Sequence, residues 1–391
     1  GLSGLSLAYR IGLERPDLPI KLIEKTGRLG GVIETWREDE WVCDISVNAV
    51  RPHPSFWRLV DDLGMSDSFG PSRGIASSRW IILRGGKHRI SPATILKIGA
   101  FGFLRGVFNS RKVGSSVLDV LQNREIADAM TLGIVNDTAD QVDANFLFPS
   151  LTGFGPKAPI SRRSLRKKIS KSYPIFTPRK GSLASLEGGM EDIIRVLHET
   201  ISKMENIEII LESEEGGPEE VSSAYDIPIS SMIWTSSLPG RDHGETTLSV
   251  FAVGFQEEVV SGVEIGYGTL IPDPNTPISG ILHESDIHSS RRAPEGHRLF
   301  RLMVPHTRWD GNEQTVREAL RVLNGFSGEP AIFRRIGERA IPRYPPGYLS
   351  SLKNYAGDLS LAGWTGSGVS VTHVVDEAER ISELFTRLQK D

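Results

Sequence analysis

The chain has 391 residues, 39% of them apolar, and a formal net charge of −4. That length exceeds one ordinary domain and predicts two or three compact units with real cores, while the near-balanced charge excludes an electrostatic footprint for nucleic acid. Its single cysteine, Cys43, excludes an internal disulfide and any cysteine-based metal cluster; no histidine pair stands at metal-ligand spacing, no G-x-S-x-G elbow occurs, and no apolar run is long enough to span a bilayer as a helix.

The chain opens on Gly1-Leu2-Ser3-Gly4, followed by the helical run Leu5 to Arg10. This reads as the back half of a G-x-G-x-x-G turn and the helix after it. Gly1 takes the place where a side chain would block approach to a pyrophosphate, and Gly4 the place where the helix packs on its strand. The first glycine and first strand of such a motif are expected upstream of Gly1, and without them the chain is expected to hold a cofactor poorly or to fold badly. Ile20-Lys21-Leu22-Ile23-Glu24 is a short apolar strand ending in the carboxylate that receives ribose hydroxyls. The run Lys25 to Gly31 then adds a second glycine pair, Gly30-Gly31, behind Arg28. NAD-binding domains do not usually need that pair. Flavoproteins of the amine-oxidase type lay such a loop against the FAD pyrophosphate, and this stretch resembles theirs.

Trp41 to Ile45 reads as a strand, Ser46 to Pro52 as a loop, and His53 to Leu63 as a helix closed by Gly64. Ser78 to Leu83 and His88 to Ile90 form a hairpin around a glycine turn, with Arg79 on its first strand, either a surface arginine or an anion contact. Residues 93–108 are apolar and the cluster Arg162 to Lys168 is basic. Together they suit an interfacial membrane-binding segment or, equally, a buried helix and a solvated basic loop. Val117 to Met130 and Leu183 to Leu197 read as helical, the latter carrying the loop Glu187-Gly188-Gly189. Ile207 to Leu211 reads as a strand, and Ile229 to Pro239 as a buried strand ending in a turn. Strand-like runs fill 247–305 and predict a sheet, followed by a helix at Glu313 to Leu323. Leu359 to Val371 is a second strand and glycine-rich turn, leading into a helix through Ala378 to Leu388. A glycine turn at each end of one chain is the arrangement of a flavin fold that grips its cofactor twice.

These stretches resemble the protoporphyrinogen oxidase family, the oxygen-dependent FAD enzymes of haem synthesis, over nearly the full length. The resemblance runs through G-L-S-G-L at Gly1, E-K-T-G-R-L-G-G-V-I at Glu24, S-R-W-I-I-L-R-G-G around Arg79 and F-P-S-L at Phe148. It continues through L-E-G-G-M at Leu186, G-Y-G-T-L-I-P at Gly266, I-P-R-Y-P-P-G-Y at Ile341 and L-A-G-W-T-G-S-G-V-S-V at Leu361. It implies non-covalent FAD contacts at Gly1, Leu2, Ser3, Gly4, Glu24, Arg28, Gly30, Gly31 and Val32. Further contacts fall on Ser46, Val47, Asn48 and Ala49, and on Gly363, Trp364, Gly368, Val369, Ser370 and Val371. It implies substrate contacts at Arg79, pairing with a propionate, and at Gly133, Tyr267, Gly268, Leu270 and Met303. The chain departs from the family at Val135-Asn136-Asp137, at Leu349, where an aromatic is common, and in the acidic connection Glu212 to Glu220.

The implied fold is α/β. A discontinuous FAD-binding Rossmann-like domain would span 1–55, 183–238 and 355–391; a mixed-sheet substrate domain 56–92 and 239–354; a helical membrane-binding insert 93–182. The implied reaction is the six-electron oxidation of protoporphyrinogen IX to protoporphyrin IX by molecular oxygen with release of hydrogen peroxide. The cofactor carries the chemistry, so no protein acid, base or nucleophile is named, and no metal is expected. The implied place is the intermembrane-space surface of the mitochondrial inner membrane, with a homodimer and ferrochelatase as partners. Alternatives are an amine or carotenoid-type oxidase and a flavin-free binding or scaffold protein descended from the family.

Overall fold

The computed structural model describes residues 1–83, 85–91, 114–148, 183–237, 243–323, 325–353 and 359–387. The N-terminal unit begins with helix α1 (Leu2–Glu14), whose Leu2, Leu5, Ala8 and Tyr9 lie on one side at helical spacing. Strand β1 (Ile20–Ile23) follows and pairs in parallel with β8 (Ile207–Ile210), Ile20 opposite Ile207. Helix α6 (Glu191–Ile201) buries Ile193, Ile194, Leu197 and Ile201 against α1. Helix α12 (Val371–Arg387) packs across α1 and α2 (Pro54–Asp62), adding Val371 and Val375 to the same core. His53 caps α2 through Nδ1, and Gly64 leaves it with φ +67. Chain segments distant in sequence thus share one apolar interior. Removing a side chain such as Leu5, which is fully buried, costs about 2–5 kcal/mol.

The second unit is a mixed seven-stranded sheet in the order β14-β10-β13-β12-β11-β5-β6. Its strands are β5 (Arg79–Leu83), β6 (Gly86–Arg89), β10 (Glu245–Gln256), β11 (Gly268–Leu270), β12 (Gly280–Leu282), β13 (His297–Pro305) and β14 (Ile332–Pro342). Only β5 and β11 run parallel; the other neighbours are antiparallel. The centre of β10 is apolar without alternation because both sheet faces are covered. On one face Phe251, Val253, Phe255, Phe300 and Leu302 meet Val316 and Leu320 of α9 (Glu313–Val322). On the other, Leu248, Val250 and Met303 meet Val117, Val120, Ala127, Val135 and Phe146.

Three elements differ from expectation. The helix expected over Val117 to Met130 is two helices, α3 (Val117–Leu121) and α4 (Arg124–Val135). Gln122 adopts φ +59 between them, and Asn123 caps α4 by accepting from the Ile126 N–H at 3.1 Å. The helix expected from Leu183 begins only at Glu191. Ala184–Leu186 is strand β7, paired antiparallel with β4 (Phe69–Pro71), and Gly189 at φ +107 breaks any helix before it. The buried strand expected over Ile229 to Pro239 shrinks to β9 (Ile233–Trp234), half-buried and paired with β15 (Ser360–Leu361). Ile229–Ser231 forms a 3-10 turn instead, because Pro228 leads the chain into a tight bend. The apolar run 93–108 and the basic cluster 162–168 lie outside the described residues, and so does Leu388.

Candidate functional site

The glycine turns expected to hold a cofactor converge. Gly31 has φ +59, and a Cβ on it would sit 3.1 Å from the Gly1 Cα. Gly363 has φ +87, and a Cβ there would press to 2.4 Å from Ser3 Oγ. The two ends of the chain and the second glycine pair therefore abut at the start of α1, whose first-turn N–H groups have no side-chain cap. Free N–H groups at a helix start suit an anion. Glu24 ends β1 as expected, with Oε1 accepting from the Thr26 N–H at 3.1 Å and Oε2 3.3 Å from the Gly1 nitrogen. Arg28 turns inward and donates to the carbonyls of Leu29 at 3.2 Å, Ile33 at 3.1 Å and Gly31 at 2.5 Å, bracing the loop. Val32 is exposed beside it.

The loop 46–49 faces the same region. Ser46 is tied to the Val32 carbonyl, and the buried Asn48 amide nitrogen has no acceptor among the described residues. Gly363 N–H donates to Glu377 at 2.6 Å, fixing the second turn ahead of α11 (Trp364–Ser367). Gly368 has φ +103, and Ser370 Oγ lies 2.8 Å from Thr372 Oγ1 at the start of α12. Touching glycine turns, an uncapped helix start, a carboxylate at the strand end and an orphaned buried amide form a cradle into which a dinucleotide fits. Gly31→Ala combines left-handed strain of about 1–2 kcal/mol with the contact to Gly1, so affinity for added FAD falls by roughly ten-fold or more. Equal flavin titrations of variant and parent would contradict this.

The expected substrate residues also come together. Arg79 opens β5 with an exposed side chain, and its guanidinium lies 4.2 Å from the centroid of the Tyr267 ring. Gly268 is its partner in the parallel ladder, and Tyr267 N–H donates to the Ser78 carbonyl at 2.7 Å. One row further, Ile81, Leu270, Gly280, Met303 and Val250 stand side by side on one sheet face. Helix α4 brings Gly133 onto it, where a Cβ would meet Leu270 Cδ2 at 3.2 Å. An arginine over an aromatic ring beside small and apolar residues can orient a flat ligand that carries a carboxylate. A separate polar cleft, lined by residues including Ala49, Gly70, Ser72, Ser185 and His288, opens beside the 46–49 loop and excludes these substrate residues.

Sequence reading missed the element that joins the two regions. Asp44, Glu284, His288, Arg292 and Arg301 are buried together. Arg301 Nε lies 3.0 Å from Glu284 Oε1, and its Nη1 donates to the carbonyls of Asp44 and Ser46. His288 Nε2 is 3.0 Å from Glu284 Oε2. Arg292 is 3.7 Å from Asp44, which accepts from Thr35 Oγ1 at 2.6 Å and the Met190 N–H at 2.7 Å. Burial alone would raise the Glu284 carboxyl, but Arg301, His288 and Arg292 outweigh it and hold it at about 2. Asp44 is raised by burial, which the more distant Arg292 does not offset. The available signal was a charge inside an apolar strand, Asp44 after Trp41-Val42-Cys43 and Arg301 after Leu299-Phe300. Cys43 itself is buried, and burial pushes its thiol well above the ordinary range. Among the described residues there is no cluster of metal-ligating side chains and no helix long and apolar enough to cross a membrane.

Comparison with known proteins places this geometry. Residues 1–63 match the NAD(P)-binding Rossmann-like domain family. A candidate protoporphyrinogen oxidase from Exiguobacterium sp. 255-15 superposes over 99% of this chain and 97% of its own, with TM-score 0.66 and 18% identity. Cyclohexylamine oxidase from Brevibacterium oxydans IH-35A superposes over 100% and 98%, with TM-score 0.66 and 12% identity. This is the amine-oxidase-like flavoprotein fold. The coproporphyrinogen III oxidase of Staphylococcus aureus (strain NCTC 8325 / PS 47) is 21% identical over 90% of this chain and 89% of its own length. The likeness is one of fold: the chain carries the dinucleotide-binding unit and mixed sheet that the sequence resemblance implied.

Proposed function

We propose that this amine-oxidase-like chain binds FAD without a covalent link and oxidises a porphyrinogen to a porphyrin, passing six electrons to molecular oxygen with release of hydrogen peroxide. The observation that carries the reading is the Arg79–Tyr267 pair beside Gly268, set on the sheet face where Gly133, Leu270 and Met303 meet. FAD, when bound, supplies the electron acceptor. The residues around the glycine turns would hold it: Gly1 to Gly4 and Gly30-Gly31 against the pyrophosphate, Glu24 at the ribose, and Ser46 to Ala49 with Gly363 to Val371 at the other end.

The protein's part is binding and orientation. Arg79 offers a forked guanidinium to a substrate carboxylate, and its stacking on Tyr267 limits the directions it can take. Leu270 and Met303 present apolar surface to a macrocycle, and Gly133 lets that surface lie flat. Holding the reacting carbon in place lowers the barrier by orientation, with no protein acid or base required. The resemblance favours protoporphyrinogen IX; the name of the Staphylococcus aureus relative brings in coproporphyrinogen III.

The test is aerobic incubation of the flavin-loaded full-length chain with each porphyrinogen, read by porphyrin fluorescence and peroxide release. Porphyrin formation from at least one, above the rate of spontaneous oxidation, is the expected result. If neither yields porphyrin while an amine substrate yields peroxide, the chain is an amine oxidase and the porphyrinogen reading fails.

A further inference from the structure

We propose that Arg339 anchors a second substrate carboxylate, on the edge of the substrate opposite the one held by Arg79. The inference rests on the porphyrinogen reading and narrows it to tetrapyrroles with carboxylates on opposing sides.

Strand β14 carries an irregularity opposite Val250 and Phe251 that inserts Ile336 between Arg335 and Gly337. Before it, Phe333 faces the core with Phe251 and Val253. A regular strand would send Arg339 to that same face, since side chains alternate with period two. The inserted residue reverses the alternation. Gly337 then stands beside Val250, and Arg339 beside Leu248, on the face that holds Met303 and Leu270. The same shift packs Ile336 and Ile341 against the apolar core of this face and carries the Arg339 guanidinium with them.

The guanidinium has no counter-charge there. Arg339 is half-buried; its Nε is sealed from solvent, and among the described residues it has no hydrogen-bond acceptor and no carboxylate within ion-pair distance. The buried arginines of β13 differ: Arg301 has Glu284 at 3.0 Å, and Arg298 has Asp286 at 2.8 Å. Burial, with the like charge of Arg301, pulls Arg339 down to about 10. A guanidinium nitrogen shut off from water with no acceptor is costly, and a carboxylate partner at the guanidinium offsets that cost.

Arg79 likewise has no carboxylate partner among the described residues, only the Tyr267 ring. The two arginines share a sheet face but stand far apart, on β5 and on the edge strand β14. Five strand intervals separate them, roughly 24 Å along the sheet. Less the reach of two long side chains, that span is of the order of a tetrapyrrole's breadth. The two propionates of protoporphyrinogen IX lie on neighbouring rings and cannot reach both arginines. Coproporphyrinogen III bears a propionate on every ring and can.

The test uses the air-stable products as probes. Coproporphyrin III, its tetramethyl ester and protoporphyrin IX are titrated against the full-length parent and Arg339→Gln by fluorescence quenching. Arg339→Gln should weaken coproporphyrin III by roughly ten- to a hundred-fold and leave protoporphyrin IX unchanged. The parent itself should bind the ester more weakly than the acid, a comparison that needs no variant. Equal affinity of parent and Arg339→Gln for coproporphyrin III, or the same loss for both porphyrins, overturns the role of Arg339. A parent that binds neither porphyrin overturns the porphyrinogen reading, and this inference with it.

Discussion

Arg301→Met should destabilise the folded chain by about 3–5 kcal/mol, because it leaves Glu284 as a buried carboxylate stripped of its main partner. His288 and Arg292 remain near, but His288 is itself held toward its neutral form by burial and by Arg292. The same substitution frees the carbonyls of Asp44 and Ser46, so the 46–49 loop loses its tie to β13 and flavin affinity should fall too. Removing both charges, Arg301→Met with Glu284→Leu, should recover much of the stability, since a pair replaced by apolar groups leaves no orphan. The acid side gives a further reading. Glu284 is held at about 2 in the folded chain against an ordinary 4.5. Its contribution is therefore complete above about pH 4.5 and is lost as pH falls through that range toward 2. Urea unfolding at neutral and acid pH measures this. Arg301→Met as stable as the parent at neutral pH would show that the pair does not hold the two units together.

Arg79→Ala should lower kcat/KM for the accepted porphyrinogen by roughly ten- to a hundred-fold. A charge-assisted bond to a carboxylate is worth about 1.5–3 kcal/mol, and each 1.4 kcal/mol is a factor of ten. Flavin content should not change, because Arg79 lies on the hairpin strand against Tyr267, among the substrate residues. Arg79→Lys should restore only part, since an ammonium keeps the charge but not the fork. An exposed strand arginine with no ligand would predict almost no effect in either variant. Unchanged turnover in both would remove Arg79 from the site; flavin loss together with activity would assign it to support of the fold.

What could be read from residues alone was what is local. The hairpin of Arg79 to Arg89, the strand ending at Glu24 and the glycines at 30, 31 and 363 each declare themselves within a few positions. The break at Gln122 was hidden because neither Gln122 nor Asn123 is a strong helix breaker, and only a left-handed turn with an asparagine cap reveals it. The apolar run from Ile229 promised a strand, yet its partner is two residues of β15 more than a hundred positions away. The Glu284–Arg301 pair was illegible for the same reason. Its members meet only because α8 (Glu284–Ile287) folds back on β13, and the carbonyls they hold come from 44 and 46. The inward turn of Arg339 depends on one inserted residue, which no alternation pattern announces.

The central claim is that this fold holds a flavin, and the visible spectrum of the purified full-length protein tests it most directly. The account predicts the paired absorption bands of an oxidised flavin, and complete release of the chromophore into the supernatant on acid precipitation, since the single cysteine, Cys43, is buried in the strand Trp41–Asp44 and the C-terminal glycine turn carries none. A colourless protein that takes up no added FAD would contradict it, and flavin retained in the acid pellet would contradict the non-covalent mode.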